Sequence, residues 1–121
     1  MLETVETEPL FASDQLDLLR DALGEEGLSV MLLELPEAAG RSLGAIQAAL
    51  DAGNLDETRK AAHVLKGFSS SLGAARLASM ARSIELDLDS VAAIAARMPA
   101  LAATVEATIA ELARRAPGAQ G

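Results

Sequence analysis

From Leu55 to Leu72 one series of residues decides the local fold: Leu55, Thr58, Ala62, Leu65, Ser69 and Leu72 recur at spacings of three, four, three, four and three. On a helix turning about 100° per residue these positions form a single stripe, and that stripe is the side to be buried. Asn54 followed by Glu57 is a variant of the capping box at its start, and Gly73 is the natural terminator at its end. His63, the only histidine, lies on the other side. Counted around the helix, Asp56, Arg59, Lys60, Lys66, Gly67 and Ser70 fall within about 60° of it, whereas the stripe is centred roughly 140° away. The imidazole therefore points outward, into a small polar neighbourhood. Gly67 follows one turn later, although glycine inside a helix costs roughly 0.5–1 kcal/mol relative to alanine. A missing side chain there leaves the imidazole edge open to something bulky, and Lys66 can set an ammonium beside whatever docks.

The rest of the chain must cover that stripe, and its composition favours helices for the task. Half of the 121 residues are apolar and only 2% are aromatic, with alanine and leucine dominant. Strands prefer β-branched and aromatic residues instead. A chain of this length holds one domain with a single core, and without cysteine it has neither a disulfide framework nor a thiolate metal site. It shows no basic-then-apolar signal segment and no apolar run of about 18 residues to span a bilayer, so the cytoplasm is the expected location. The net charge of −8 argues against nucleic acid and anionic membrane as partners. That charge is unevenly spread. From Thr58 to Ile84 there is no Asp or Glu, yet Arg59, Lys60, Lys66, Arg76 and Arg82, half of the ten basic residues, lie in that window. A basic face on an acidic protein suits an acidic partner site.

In chain order, residues 1–12 carry Glu3, Glu6, Glu8 and Pro9 without a sustained period and read as a flexible tail or partly docked arm. Ser13 is the expected cap of a short helix with Leu16, Leu19 and Leu23 on its buried side and Gly24 as its stop. Ser29 offers a second cap before the apolar run from Val30 to Leu35, and Pro36 should kink or restart the helix that then runs by Leu43, Ile46 and Leu50 to Gly53. A helix from about Ala75 to Leu86 returns beside the His63 helix. Ser90 caps the last segment, where Pro99 marks another kink or restart and Ala102, Val105, Ile109 and Leu112 keep the helical period to Arg115. The expectation is an all-α, up-and-down antiparallel four-helix bundle over 13–115, with a short additional N-terminal helix and a frayed tail over 116–121. A start at Met1 and two loose ends fit a free-standing protein, and monomer is the default.

The hairpin at Gly73 also yields a register. With the turn centred near Ala74, residues eleven before and eleven after it lie level, and these are His63 and Glu85. A glutamate accepting a hydrogen bond from Nδ1–H would fix the tautomer, leave Nε2 as the free nucleophile and stabilise positive charge on the ring. Glu85 could instead stay solvated, or pair with Arg82 or Lys60.

The run His63-Val64-Leu65-Lys66-Gly67, then Ser69-Ser70-Ser71-Leu72-Gly73-Ala74, Leu77 and Ile84-Glu85, resembles the histidine phosphotransfer (HPt) domain of bacterial multistep phosphorelays. Ala48 to Asn54 resembles the loop entering the phosphorylated helix, and the likeness extends from about Asp14 to about Ala113. Phe68 stands where the family usually has a small residue, and Leu35 where an aromatic is common. The resemblance implies a phosphorelay intermediate. His63 would accept a phosphoryl group from a receiver-domain phospho-aspartate, or from a kinase, and pass it to the aspartate of a response-regulator receiver. Lys66 would neutralise phosphoryl oxygens, Gly67 keep the approach open, Ser70 bond a phosphoryl oxygen or a water, and Glu85 orient the ring. Arg59, Lys60, Val64, Phe68 and Arg76 are the residues expected to meet the partners, which would be receiver domains and a hybrid sensor histidine kinase. The chain itself would hold no cofactor, and the Mg2+ for transfer would sit in the receiver's acidic pocket. It has no Walker-type phosphate loop and no length left for a nucleotide-binding domain, so it would be a phosphocarrier without kinase activity of its own. The alternative is a non-catalytic helical interaction module in which His63 is incidental.

Overall fold

The computed structural model describes residues 9–115, in which the chain forms five helical elements: α1 (Ser13–Leu33), α2 (Leu35–Asp51), α3 (Leu55–Leu72), α4 (Ala75–Leu86) and α5 (Val91–Arg115). There is no strand among the described residues. Element α1 is two helices in one span, because at Gly24 (φ 76°, ψ 170°) the backbone leaves helical space. Only glycine tolerates that φ without strain, so Gly24 does end the first helix. The second begins directly after it and not at Ser29, which lies inside the helix. The first cap also differs from expectation: Ala12, in an extended conformation and with no side-chain cap bond, holds the position expected for Ser13. Pro36 sits in the first turn of α2, after a single turn residue at Glu34, where a missing N–H leaves no hydrogen bond broken.

Segment 25–51, bent at residue 34, then packs with α3, α4 and α5 as a closed ring: α2 on α3, α3 on α4, α4 on α5, and α5 back on α2. The result is an up-and-down four-helix bundle, and helix 13–23 is the additional N-terminal one. That helix is pinned to the α3–α4 turn. The Ala12 N–H donates to Gly73 O at 2.7 Å, and Gln15 Nε2 donates to Ser71 O at 3.1 Å. Most of the expected tail, residues 1–8, lies outside the described residues, as do 116–121. Phe11 does not behave as tail, being 3% exposed within the core cluster. The docked part of the chain thus starts ahead of residue 13.

The α3 stripe is buried as its period requires: Thr58, Ala62, Leu65, Ser69 and Leu72 are all enclosed and Leu55 is half-buried. Thr58 fits there because its hydroxyl donates back to Asn54 O at 2.8 Å, sparing the core an unpaired polar group. Each fully enclosed leucine contributes roughly 1.5–3 kcal/mol, so Leu65 and Leu72 alone outweigh the penalty of Gly67 on the outer face. At the start of α3 the Asn54 side chain accepts from the Glu57 N–H at 3.0 Å. The reciprocal half of the capping box is not formed: the Asn54 N–H donates to Ala49 O at 2.9 Å, and the Glu57 carboxylate lies 3.4 Å from Lys60 Nζ. Gly73 (φ 77°) closes α3 in the left-handed conformation, and the Ala74 N–H bonds back to Ser69 O at 2.9 Å, which turns the chain sharply into α4.

Leu23 is exposed, contrary to its expected place on a buried side, because the helix that would carry the period past it ends at Gly24. On α5 the Ser90 hydroxyl accepts from the Ala93 N–H at 3.1 Å, as a cap should. The helix runs unbroken through Pro99; Pro99 and Ala95 both lie on the exposed side, where water can serve the carbonyl that loses its donor. The buried side of α5 passes through Ile94, Leu101, Thr104, Val105 and Thr108, while Ala102 is exposed. Over Val91–Glu111 this helix is long and apolar enough to cross a membrane by length and composition, contrary to the expectation that the chain has no such run. An alanine-rich bundle helix meets the same criterion, and this one packs against α2 and α4.

Candidate functional site

The site sits midway along the α3–α4 hairpin. The sharp turn at Gly73 sets the two helices antiparallel and level, and the count of eleven on each side brings Glu85 to His63: Nδ1 lies 2.8 Å from Oε2. With a carboxylate as its partner Nδ1 carries the proton, so the lone pair is left on Nε2. The imidazole is 62% exposed and the carboxylate only 18%, so the ring faces solvent from an anchored base. Lys66, 27% exposed, reaches the other oxygen of the same carboxylate, with Nζ 3.2 Å from Oε1. Its direction is off the line of a well-formed hydrogen bond, and it is an ion pair by distance. Glu85 therefore pairs with the imidazole and the Lys66 ammonium and with neither Arg82 nor Lys60, whose ammonium lies against Glu57.

Partial burial pushes the Glu85 carboxyl up, but the Lys66 contact, the His63 hydrogen bond and the charges of both outweigh it, and the net effect holds the group below its ordinary value of 4.5. A carboxyl lowered by folding contributes stability that is complete above the unfolded value and is lost as pH falls through the folded one. Urea unfolding should accordingly show Glu85→Gln less stable than the natural protein near about pH 7, with the gap closing as the pH drops well below about 4.5. A gap that stays constant into acid would contradict this coupling.

Around the ring, Asp56, Arg59, Lys60, Val64, Glu85 and Leu86 join His63 in lining a shallow depression of about 550 Å³. Val64, 63% exposed, is shared with a second hollow of about 560 Å³ between α2 and α3, where it is joined by Phe68, Ala61, Ala38, Ala45 and Arg41. Gly67 opens outward: a Cβ built there meets no atom within 4 Å. Val64 and Lys60 thus flank His63 on an accessible face, whereas Phe68 is half-buried against the core and lines only the second hollow. Arg59 is different, for its guanidinium turns inward and donates from Nη2 to Leu88 O at 3.0 Å. Arg76 starts α4 beside the Gly73 turn, so about nine residues of helix rise, roughly 13 Å, separate its level from His63. Ser70 shares the face of His63 but sits seven residues further along α3, about 10 Å by helix rise, beyond direct reach of a group on the ring. It lines a separate hollow with Gln15, Gly73 and Ser79.

The α2 residues of the second hollow, and Leu86 beside the ring, were not singled out from sequence. The count that pairs His63 with Glu85 could have found the former. Taken about Gly53, it sets Ser42 level with Val64 and Ala38 level with Phe68, and all four line that hollow. Among the described residues no group of three or more His, Cys, Asp or Glu is arranged to hold a metal ion.

No curated protein and no solved structure matches the chain. The family model described as the Hpt domain matches residues 26–115, which takes in 25–51 almost entirely, the whole of α3 and α4, and α5 to its end. With three quarters of its length under that match, and an exposed histidine pinned by a glutamate on the paired helix, the chain belongs to the Hpt family, whose members carry out phosphotransfer in two-component phosphorelays.

Proposed function

We propose that the protein is a phosphorelay carrier that takes a phosphoryl group on His63 Nε2 from the phospho-aspartate of one receiver domain, and gives it to the aspartate of another. The observation that carries this reading is the His63–Glu85 bond of 2.8 Å, which commits Nδ1 and leaves Nε2 as a nucleophile on an open face. The Nε2 lone pair forms the N–P bond as the P–O bond to the aspartate breaks, and the aspartate leaves as a carboxylate. Nδ1 keeps its proton throughout, and the positive charge that the ring acquires rests against Glu85. Lys66, already 3.2 Å from Glu85 on the same face, supplies a cation for the equatorial phosphoryl oxygens. Mg2+ belongs to the acidic pocket of the receiver. The acid-free window from Thr58 to Ile84 avoids repelling that pocket. The donor would be a hybrid sensor histidine kinase with its receiver, the acceptor a response regulator, and the carrier a monomer acting in the cytoplasm.

The hollow between α2 and α3, continuous with the ring through Val64, gives the receiver a footing in which Val64, Phe68 and alanines are rimmed by Glu34, Glu37, Arg41 and Ser42. Gly67 is not required by the chain's own packing, so its role lies in what docks. Gly67→Ala should raise stability by roughly 0.5–1 kcal/mol. Gly67→Leu should slow transfer by about tenfold or more, equivalent to ~1.4 kcal/mol of lost docking, with the fold intact. Normal transfer by the leucine variant would refute the open-edge argument. The reading as a whole is tested by mixing the protein with a phosphorylated receiver and Mg2+, then with a second, unphosphorylated one. Label should pass through the carrier to the second receiver; no label from any of several receivers would leave a helical interaction module in its place.

A further inference from the structure

The loop that closes α4 is held from α3. Arg59 Nη2 donates to the Leu88 carbonyl at 3.0 Å across 29 residues of sequence, and the Asp87 and Leu88 N–H groups both bond to Ser83 O, at 2.8 and 3.2 Å. Whatever grips Leu88 therefore grips the last turn of α4, and Glu85 lies in that turn. This end needs holding. Element α4 has only 12 residues and carries no basic residue in its last turn, so its own sequence supplies no cation for the carbonyl end of the helix. Arg59 supplies one from the neighbouring helix. Its Nε is buried without a hydrogen bond, an arrangement unlike that of a surface cation waiting for a partner. Arg59 also stands four residues before His63, one turn away on the same face of α3. The two residues thus grasp α4 at adjacent points: Arg59 at Leu88, His63 at Glu85.

We infer that Arg59 is a positioning residue, which fixes the end of α4 so that the Glu85 carboxylate stays in bonding register with His63 Nδ1. This rests on the carrier reading for its effect on transfer, but not for its effect on the ring. A loosened α4 end lets the carboxylate drift from Nδ1, the imidazole then samples both tautomers, and only one of them offers Nε2 to phosphorus. The role adds to the expectation from sequence that Arg59 meets the partner: Nη2 faces the protein's own backbone, while the residue also lines the depression beside His63.

The test is Arg59→Met, which keeps the length and apolar stem and removes every donor. Two quantities are read: the His63 tautomer by ¹⁵N NMR on the free protein, and the rate of transfer beside the affinity for an unphosphorylated receiver. The imidazole signals should move from the Nδ1–H form toward the mixture of a free imidazole. Transfer at saturating receiver should slow by about tenfold to 10²-fold, the scale of a misplacement of roughly 1 Å, while affinity is unchanged. Arg59→Lys, with one donor able to reach Leu88 O, should recover part of both effects. An unchanged tautomer would overturn the inference, and so would a loss of affinity with a normal rate at saturation. If Arg59→Met does not fold, Arg59→Gln is read in the same way. A shifted tautomer in the variant alongside no transfer by the natural protein would uphold the role of Arg59 and remove the carrier reading.

Discussion

His63→Gln should accept no phosphoryl group from any receiver, while melting within a few degrees of the natural protein. No other imidazole exists in the chain, so no second residue can form the same N–P bond. The fold should survive because the ring is 62% exposed and packs against nothing in the core. Glutamine is long enough to offer its amide N–H to the freed Glu85 oxygen, and Lys66 remains on the other. Exposed substitutions of this kind usually fall within about 0.5 kcal/mol. Acid-labile phosphate on the intact protein, followed beside a thermal melt, measures both halves. Label on the variant would place the acceptor elsewhere.

Glu85→Ala should be the most damaging change outside the nucleophile. The carboxylate makes two contacts, 2.8 Å to His63 and 3.2 Å to Lys66, and its removal releases both at once. The ring loses its fixed tautomer and the counter-charge for the imidazolium that forms on transfer. Removing a positioned proton-holding group of this type costs on the order of 10²-fold in rate. Glu85→Gln retains an acceptor for Nδ1–H but not the charge, and should lose only about tenfold. The separation between the two variants is the informative quantity, because it divides orientation from charge. Single-turnover transfer at saturating receiver measures it. Normal rates in both would mean that the His63–Glu85 bond is structural decoration.

Much of the site was legible because it is written in helix periodicity. The α3 stripe, from Thr58 to Leu72, follows from its spacing alone, and the outward face bearing His63 and Lys66 is its complement. Glu85 follows from counting across a turn whose position Gly73 fixes. The caps of α1 were not legible. Ser13 and Ser29 have the right chemistry, but the start of the first helix is set by the tether of Ala12 to Gly73, a contact 61 residues distant, and the start of the second by the break at Gly24. The docking hollow carries no apolar stripe to mark it: its α2 wall mixes Ala38 and Ala45 with Glu37, Arg41 and Ser42, so only the register count about Gly53 points to it. Arg59 shows a third limit. A long cationic side chain at a polar helix position reads as solvated, and only the fold shows that a carbonyl of the next loop lies within its reach.

The most direct test is to phosphorylate ¹⁵N-histidine-labelled protein with a phospho-receiver and Mg2+ and to read the ring by ¹⁵N and ³¹P NMR. The account predicts an N–P bond at Nε2 of His63 with Nδ1 still protonated and bonded to Glu85. Phosphorus on Nδ1, or no phosphoramidate at all in the presence of competent receivers, would contradict it.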